Sequence, residues 1–160
     1  MHRILAAAAL CVVTLAASAQ SADAARVSTF KGALAQAYQT CAGAYRLAQL
    51  DQKLGRMADA QARRNYGATP DYTMRSDAAG NAAKQFVACK TEAQGKGVEA
   101  FKAFADGLPD GQLKADGRAL LTAWIAFLGN ASGSVADFQS PQGGEYSKAS
   151  AALDVDAAGI

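Results

Sequence analysis

The 160-residue chain holds a single histidine, three prolines and one tryptophan. The histidine is His2, inside the N-terminal export signal described below. A mature form without that segment has no imidazole. This excludes histidine-ligated zinc, copper and haem, and any serine or cysteine nucleophile activated by histidine. No Cys-x-x-Cys or Cys-x-x-Cys-His occurs, so dithiol redox chemistry and covalent haem attachment lack their motifs. No Asp-rich calcium loop is present; Asp106-Gly-Leu-Pro-Asp110-Gly lacks the ligand run and the distal glutamate. No cofactor is expected. Period-two strand patterning is also absent, as is any internal repeat.

What is present begins with an export pattern. Met1-His2-Arg3 is followed by an apolar run from Ile4 to Ala17, and Ala17-Ser18-Ala19 puts small residues where a signal peptidase reads. The run is about 14 residues, short of the roughly 20 that span a bilayer. The expectation is a signal peptide over residues 1–19, with Ala24 as a second cleavage position, and a periplasmic or secreted product without a stable membrane anchor. Cys11 follows Leu10 rather than a small residue, so it reads as part of the signal and not as a lipidation site.

Without the signal, the 16 basic side chains of the whole chain drop to 15 through loss of Arg3, against 14 acidic. Near neutrality argues against a nucleic-acid partner. Cys41 and Cys89 remain. In an oxidising compartment an isolated pair is expected to bond. A loop of about 48 residues would be worth roughly 4 kcal/mol in the chain-entropy account.

Alanine makes up about a quarter of the chain, and it has the best helix propensity. Periodicity predicts a first helix over 28–64, capped by Ser28 or Thr29. Val27, Phe30, Leu34, Ala37, Cys41, Ala44 and Ala48 form its apolar stripe. The stripe then shifts to Leu47, Leu50, Leu54 and Met57, which implies a bend or a change of partner. A second helix is expected from Ser76-Asp77, with Ala79, Ala82, Phe86, Cys89 and Ala93 inward and Gly95 and Gly97 as points of interruption. Val98, Phe101, Phe104 and Leu108 carry its apolar face onward. Each cysteine thus lies on an apolar seam, as a cross-linked antiparallel pair requires. Leu108-Pro109-Asp110-Gly111 is a turn. A third helix follows over 112–128, apolar on several sides around Trp124, which is expected to be buried. The prediction is an all-α bundle of three to four helices over 20–130. Residues 131–160 then form a flexible segment that could hold a short helix over 145–153.

Few motifs suggest catalysis. Ser28-Thr29-Phe30-Lys31 spells Ser-x-x-Lys, but the companion motifs of penicillin-binding enzymes are missing. Paired carboxylates could cleave glycans; Asp51, Asp59, Asp71, Asp77, Glu92, Glu99, Asp106, Asp110 and Asp116 are available, and most read as caps or solvated faces. Asn130-Ala131-Ser132 matches a glycosylation acceptor, which carries little weight in a bacterial protein. One face stands out as a binding candidate. Arg46, Lys53, Arg56 and Arg63 are spaced to share a side of the first helix. Arg64 and Arg75 lie near them in sequence, and Tyr66 and Tyr72 flank Pro70 in the following loop. Five basic and two acidic residues give the 46–64 stretch a net charge of +3. The expected function is non-enzymatic: binding a protein partner or an anionic envelope component, as an inhibitor, immunity-type protein or chaperone. The alternatives are a small cell-wall hydrolase and a ligand-carrying bundle with a cavity at Trp124. Oligomeric state is not encoded in any motif.

Cys41-Ala-Gly-Ala-Tyr45 and Ala123-Trp124-Ile125-Ala126-Phe127 resemble segments of the LprI-type family of helical exported proteins, linked to lysozyme inhibition. The resemblance covers these ten residues. The chain departs from that family in having no Arg-Asp after Phe127, in lacking its further cysteines and in the displaced acidic residue after the first cysteine. What the resemblance implies is binding or inhibition of another protein.

Overall fold

The computed structural model describes the backbone of residues 3–67 and 72–159, and side chains for 22–65, 67 and 80–159. The expected signal over 1–19 therefore falls outside the residues described at side-chain level. So do Tyr66, Tyr72 and Arg75, and Pro70 and Asp71 lie outside the described residues altogether.

Among the described residues the fold has four helices and one short turn: α1 (Arg3–Tyr66), α2 (Tyr72–Ala105), α3 (Gln112–Asn130), a 3₁₀ turn (Val135–Gln139) and α4 (Pro141–Ala158). No strand occurs among the described residues. The boundaries follow local chemistry. α1 runs straight through the expected start at Ser28. The Thr29 hydroxyl donates to the Ala25 carbonyl one turn back, at 2.9 Å, so it is a helix-interior residue and not a cap. The helix stops where Gly67 takes a left-handed φ of 63° and its N–H closes on the Arg63 carbonyl at 3.1 Å. α2 starts at Tyr72, four residues ahead of the expected Ser76. It passes Gly95 and Gly97 unbroken. Gly97 is needed for close approach, because a Cβ there would fall inside the Trp124 ring. Gly117 likewise makes room for the Phe104 ring. Gly107, at φ 69°, ends the α2 segment.

Antiparallel α1 and α2 are cross-linked between Cys41 and Cys89, whose Cα atoms are 5.6 Å apart. The seam expected on each helix is the buried one: Val27, Phe30, Leu34 and Cys41 from α1 meet Phe86, Ala93 and Phe104 from α2. Phe30 stacks on Phe104 at 5.0 Å between centroids. α3 closes the core with Leu120, Leu121, Trp124, Phe127 and Leu128. Trp124 is fully enclosed. Its Nε1–H has no acceptor, a loss of about 1–3 kcal/mol, which burial of the large indole offsets. The Lys90 ammonium, 5.1 Å above the Phe86 ring, donates to the Gly129 and Ala131 carbonyls and so satisfies the end of α3.

The segment 131–160 departs most from the sequence expectation. It carries a fourth helix of 18 residues, packed on α3 and α1. Ser140 caps it by accepting the Gly143 N–H at 3.0 Å, with Pro141 at the first position. Gly143 is buried where the 3₁₀ backbone crosses α4, with no space for a Cβ. Tyr146 stacks on Phe127 at 5.5 Å, and Leu153 and Ala157 are buried. Lys31 pairs with Asp154 at 2.6 Å and ties α1 to α4. Ahead of α4, Asp137 is a buried hub: its carboxylate accepts the Tyr38 hydroxyl at 2.8 Å, Gly133 N–H at 2.9 Å, Ser132 N–H at 3.1 Å and the Ser132 hydroxyl at 2.6 Å. Burial acts to raise Asp137, but these bonds outweigh it and hold the carboxyl below its ordinary value. Burial and the bond to Asp137 push Tyr38 up to about 12.

Candidate functional site

The core stops before α1 does. Past Ala42 no described residue of α1 is buried, although the helix continues for more than six turns to Tyr66. This outer length is an arm. Tyr45 starts it, stacked on Phe86 of α2 at 4.5 Å. On the same side follow Ala48, Gln52, Gly55, Asp59 and Ala62, each half-buried, spaced alternately three and four apart. The inner seam of the arm is therefore made of small and polar residues.

Its large apolar residues point the other way. Leu47, Leu50, Leu54 and Met57 are 68%, 51%, 53% and 60% exposed. At 3.6 residues per turn, their three-four-three spacing places them on one line, on the side of α1 opposite Cys41 and Tyr45. The stripe shift visible in the sequence is thus a change of face along one unbroken helix. The same outer face is polar or small along the bundle: Thr29, Gln36 and Gln39 are exposed and Gly32 lies open. It turns apolar only where the helix leaves the core. Isolated exposed leucines need no explanation; four in line form a contiguous patch of the kind that marks a contact site.

The basic residues flank this stripe unequally. Arg46 and Lys53 each directly precede a stripe leucine, so they fall on one shoulder, and Asp51 falls on the other. Lys53, Arg56, Arg63 and Arg64 are exposed. Arg46 has a second job: its Nε–H donates to the Gly133 carbonyl and clamps the loop before the 3₁₀ turn against the arm. The four expected face residues therefore do not form one line. Arg56 and Arg63 lie nearer the α2 side, and Arg46 belongs partly to the fold.

Other sequence candidates are placed differently. Lys31 of Ser-x-x-Lys directs its ammonium to Asp154, not to Ser28; the two line a shallow cleft of about 240 Å³ with Val27 and Ala157. Glu92 pairs with Lys96 at 2.6 Å, and Asp110 with Lys114 at 3.0 Å instead of capping α3. Each lysine holds its carboxyl below the ordinary value. Asp116 meets Asp156 from α4, and a hydrogen bond between the two carboxyls raises Asp156. Trp124 abuts Gly97 too closely to leave ligand space on that side. Among the described residues no group of acidic, cysteine or histidine side chains could hold a metal ion, and no helix is long and apolar enough to cross a membrane.

Comparison with protein-family models, curated proteins and solved structures finds no match to this chain.

Proposed function

We propose that the protein is an exported, non-enzymatic binding protein that works in the periplasm and docks its partner on the outer face of the α1 arm. The observation that carries this reading is the exposed line Leu47, Leu50, Leu54 and Met57, on the side of the helix away from the disulfide. Burying one such side chain from full exposure is worth about 1.5–3 kcal/mol. Four that are half to two-thirds exposed could contribute about 4–6 kcal/mol to a complex. That is a large share of a micromolar affinity, about 8 kcal/mol. The positive shoulder supports the same reading, since charges at an apolar rim steer association and select partners.

The disulfide fits an oxidising compartment, and export rests on the basic, apolar and small-residue order of residues 1–19. The mass of protein recovered from the periplasm tests the export step: a mature chain beginning at Gln20 or Ala25 is expected, and an intact N-terminus in the cytoplasm refutes it. The docking step is tested on a captured partner by comparing wild type with Lys53→Glu/Arg64→Glu at low and high salt, Arg64 standing about five helical turns beyond Arg46 on the same shoulder. Association is expected to slow with the reversal and with salt, because charges exposed to solvent are screened beyond about 8 Å. Equal rates in all four conditions refute electrostatic steering by this face.

A further inference from the structure

Resting on the reading of the arm as a docking surface, we infer that its occupant is a single amphipathic helix of another protein, with acidic residues on the shoulder that meets Arg46 and Lys53. Three observations select this occupant over a lipid surface or a second copy of the chain. The apolar line is narrow. Leu47, Leu50, Leu54 and Met57 occupy two positions per heptad, the seam that one facing helix fills; a helix lying in a bilayer surface presents a wider apolar face. The charge is one-sided, with Arg46 and Lys53 beside Leu47 and Leu54, and Asp51 on the far shoulder. A helix partner reads the two shoulders separately, whereas an anionic surface would favour basic residues on both. The 46–64 stretch is net +3, so two copies brought together repel, and an acidic helix does not. The approach is also clear: the outer face of α1 continues past Gln39, Gln36 and Gly32 with exposed residues, so among the described residues no other helix covers the path.

The test uses the full mature chain and labelled peptides of about three heptads, long enough to hold helix on contact. All carry leucine at the seam positions. One has glutamate at the flanking positions, one lysine and one glutamine. Like charges keep the first two from pairing with themselves. Fluorescence anisotropy should show the glutamate peptide binding tightest, with the lysine peptide about tenfold weaker. Leu50→Gln/Leu54→Gln should weaken the glutamate peptide by about thirtyfold, with an unchanged melting temperature as proof of folding. Lys53→Glu should weaken the glutamate peptide and strengthen the lysine peptide, an exchange that loss of fold cannot mimic. Gln39→Ala should change neither.

Equal binding of the acidic and basic peptides, or binding indifferent to the leucine substitutions, overturns the inference. Vesicles of phosphatidylglycerol and sedimentation of the chain alone separate its failure from that of the docking reading. If the stripe binds vesicles, or pairs two copies in a way that Leu50→Gln/Leu54→Gln abolishes, while the acidic peptide does not bind, the arm is still a docking surface and the acidic helix is wrong. If peptides, vesicles and self-association all ignore the stripe, both readings fall.

Discussion

Replacing Asp137 by alanine takes one acceptor away from four donors. The four are not equal. Ser132 is exposed, so its N–H and hydroxyl can turn to water at little cost. The Gly133 N–H is enclosed and is left without its carboxylate partner, whereas the Tyr38 hydroxyl keeps the Ser134 carbonyl, at 3.2 Å, as a second acceptor. An orphaned buried donor costs about 1–3 kcal/mol, and exchanging a charged acceptor for a carbonyl weakens the tyrosine's bond by about 1 kcal/mol, so Asp137→Ala should destabilise by about 3 kcal/mol. Tyr38→Phe removes the bond to the charged Asp137 and the longer one to the Ser134 carbonyl, and should cost about 1.5 kcal/mol. The double variant should cost about 1 kcal/mol less than the sum of the singles, because both singles lose the same Tyr38–Asp137 bond. The pH dependence carries a sign. Asp137 is lowered in the fold, so its contribution is complete above the ordinary aspartate value of about 3.9 and is lost as pH falls through the lowered one. The stability gap between wild type and Asp137→Ala should hold constant from neutrality to about pH 4 and narrow below it. Urea titrations at several pH values measure this. A variant within about 0.5 kcal/mol of wild type, or a gap that widens in acid, would refute the hub.

Three further outcomes follow from packing. Trp124→Ala should cost about 3–5 kcal/mol, and native Trp124 should emit as a buried indole; a red-shifted native spectrum would contradict the core. Cys41→Ser should cost about 2–5 kcal/mol, read by thermal unfolding with and without reductant, where wild type alone should respond to the reductant. Leu50→Gln/Leu54→Gln should alter folding stability by less than about 0.5 kcal/mol per site, since half of each side chain is already in water; a core-sized loss would mean that the arm face is packed in solution.

The bundle was legible where apolar residues recur at helix spacing and face one another. Val27 to Cys41 and Ala82 to Ala93 each gave a seam, and the cysteines fixed their register. Helix four was less legible, because Gly143 and Gly144 read as loop residues in sequence. Gly143 is there for a backbone crossing that only the three-dimensional arrangement creates, and the Ser140-Pro141 start was the signal that could have revealed it. Asp137 was legible only in part: three of its donors lie four or five positions back, on Ser132 and Gly133, but the Tyr38 hydroxyl comes from 99 positions away. The docking stripe was half legible. Its shift off the first seam could be read, but exposure depended on what α2 offers opposite. Between Ala78 and Gln85 the second helix supplies no large apolar side chain, and this could have shown that Leu47 to Met57 had no match there. The basic residues were grouped by spacing alone, which could not reveal that Arg46 is held by Gly133.

The central claim is that the outer face of α1 changes role between Gln39 and Leu47, from solvated surface to contact surface. A photoreactive residue placed at Leu54, and separately at Gln36, tests it in living cells. Both positions lie on the same side of the same helix, so exposure alone treats them alike. A discrete cross-linked adduct from position 54 and none from position 36 is the predicted result. Identical patterns from the two positions, or no adduct from either, would contradict it.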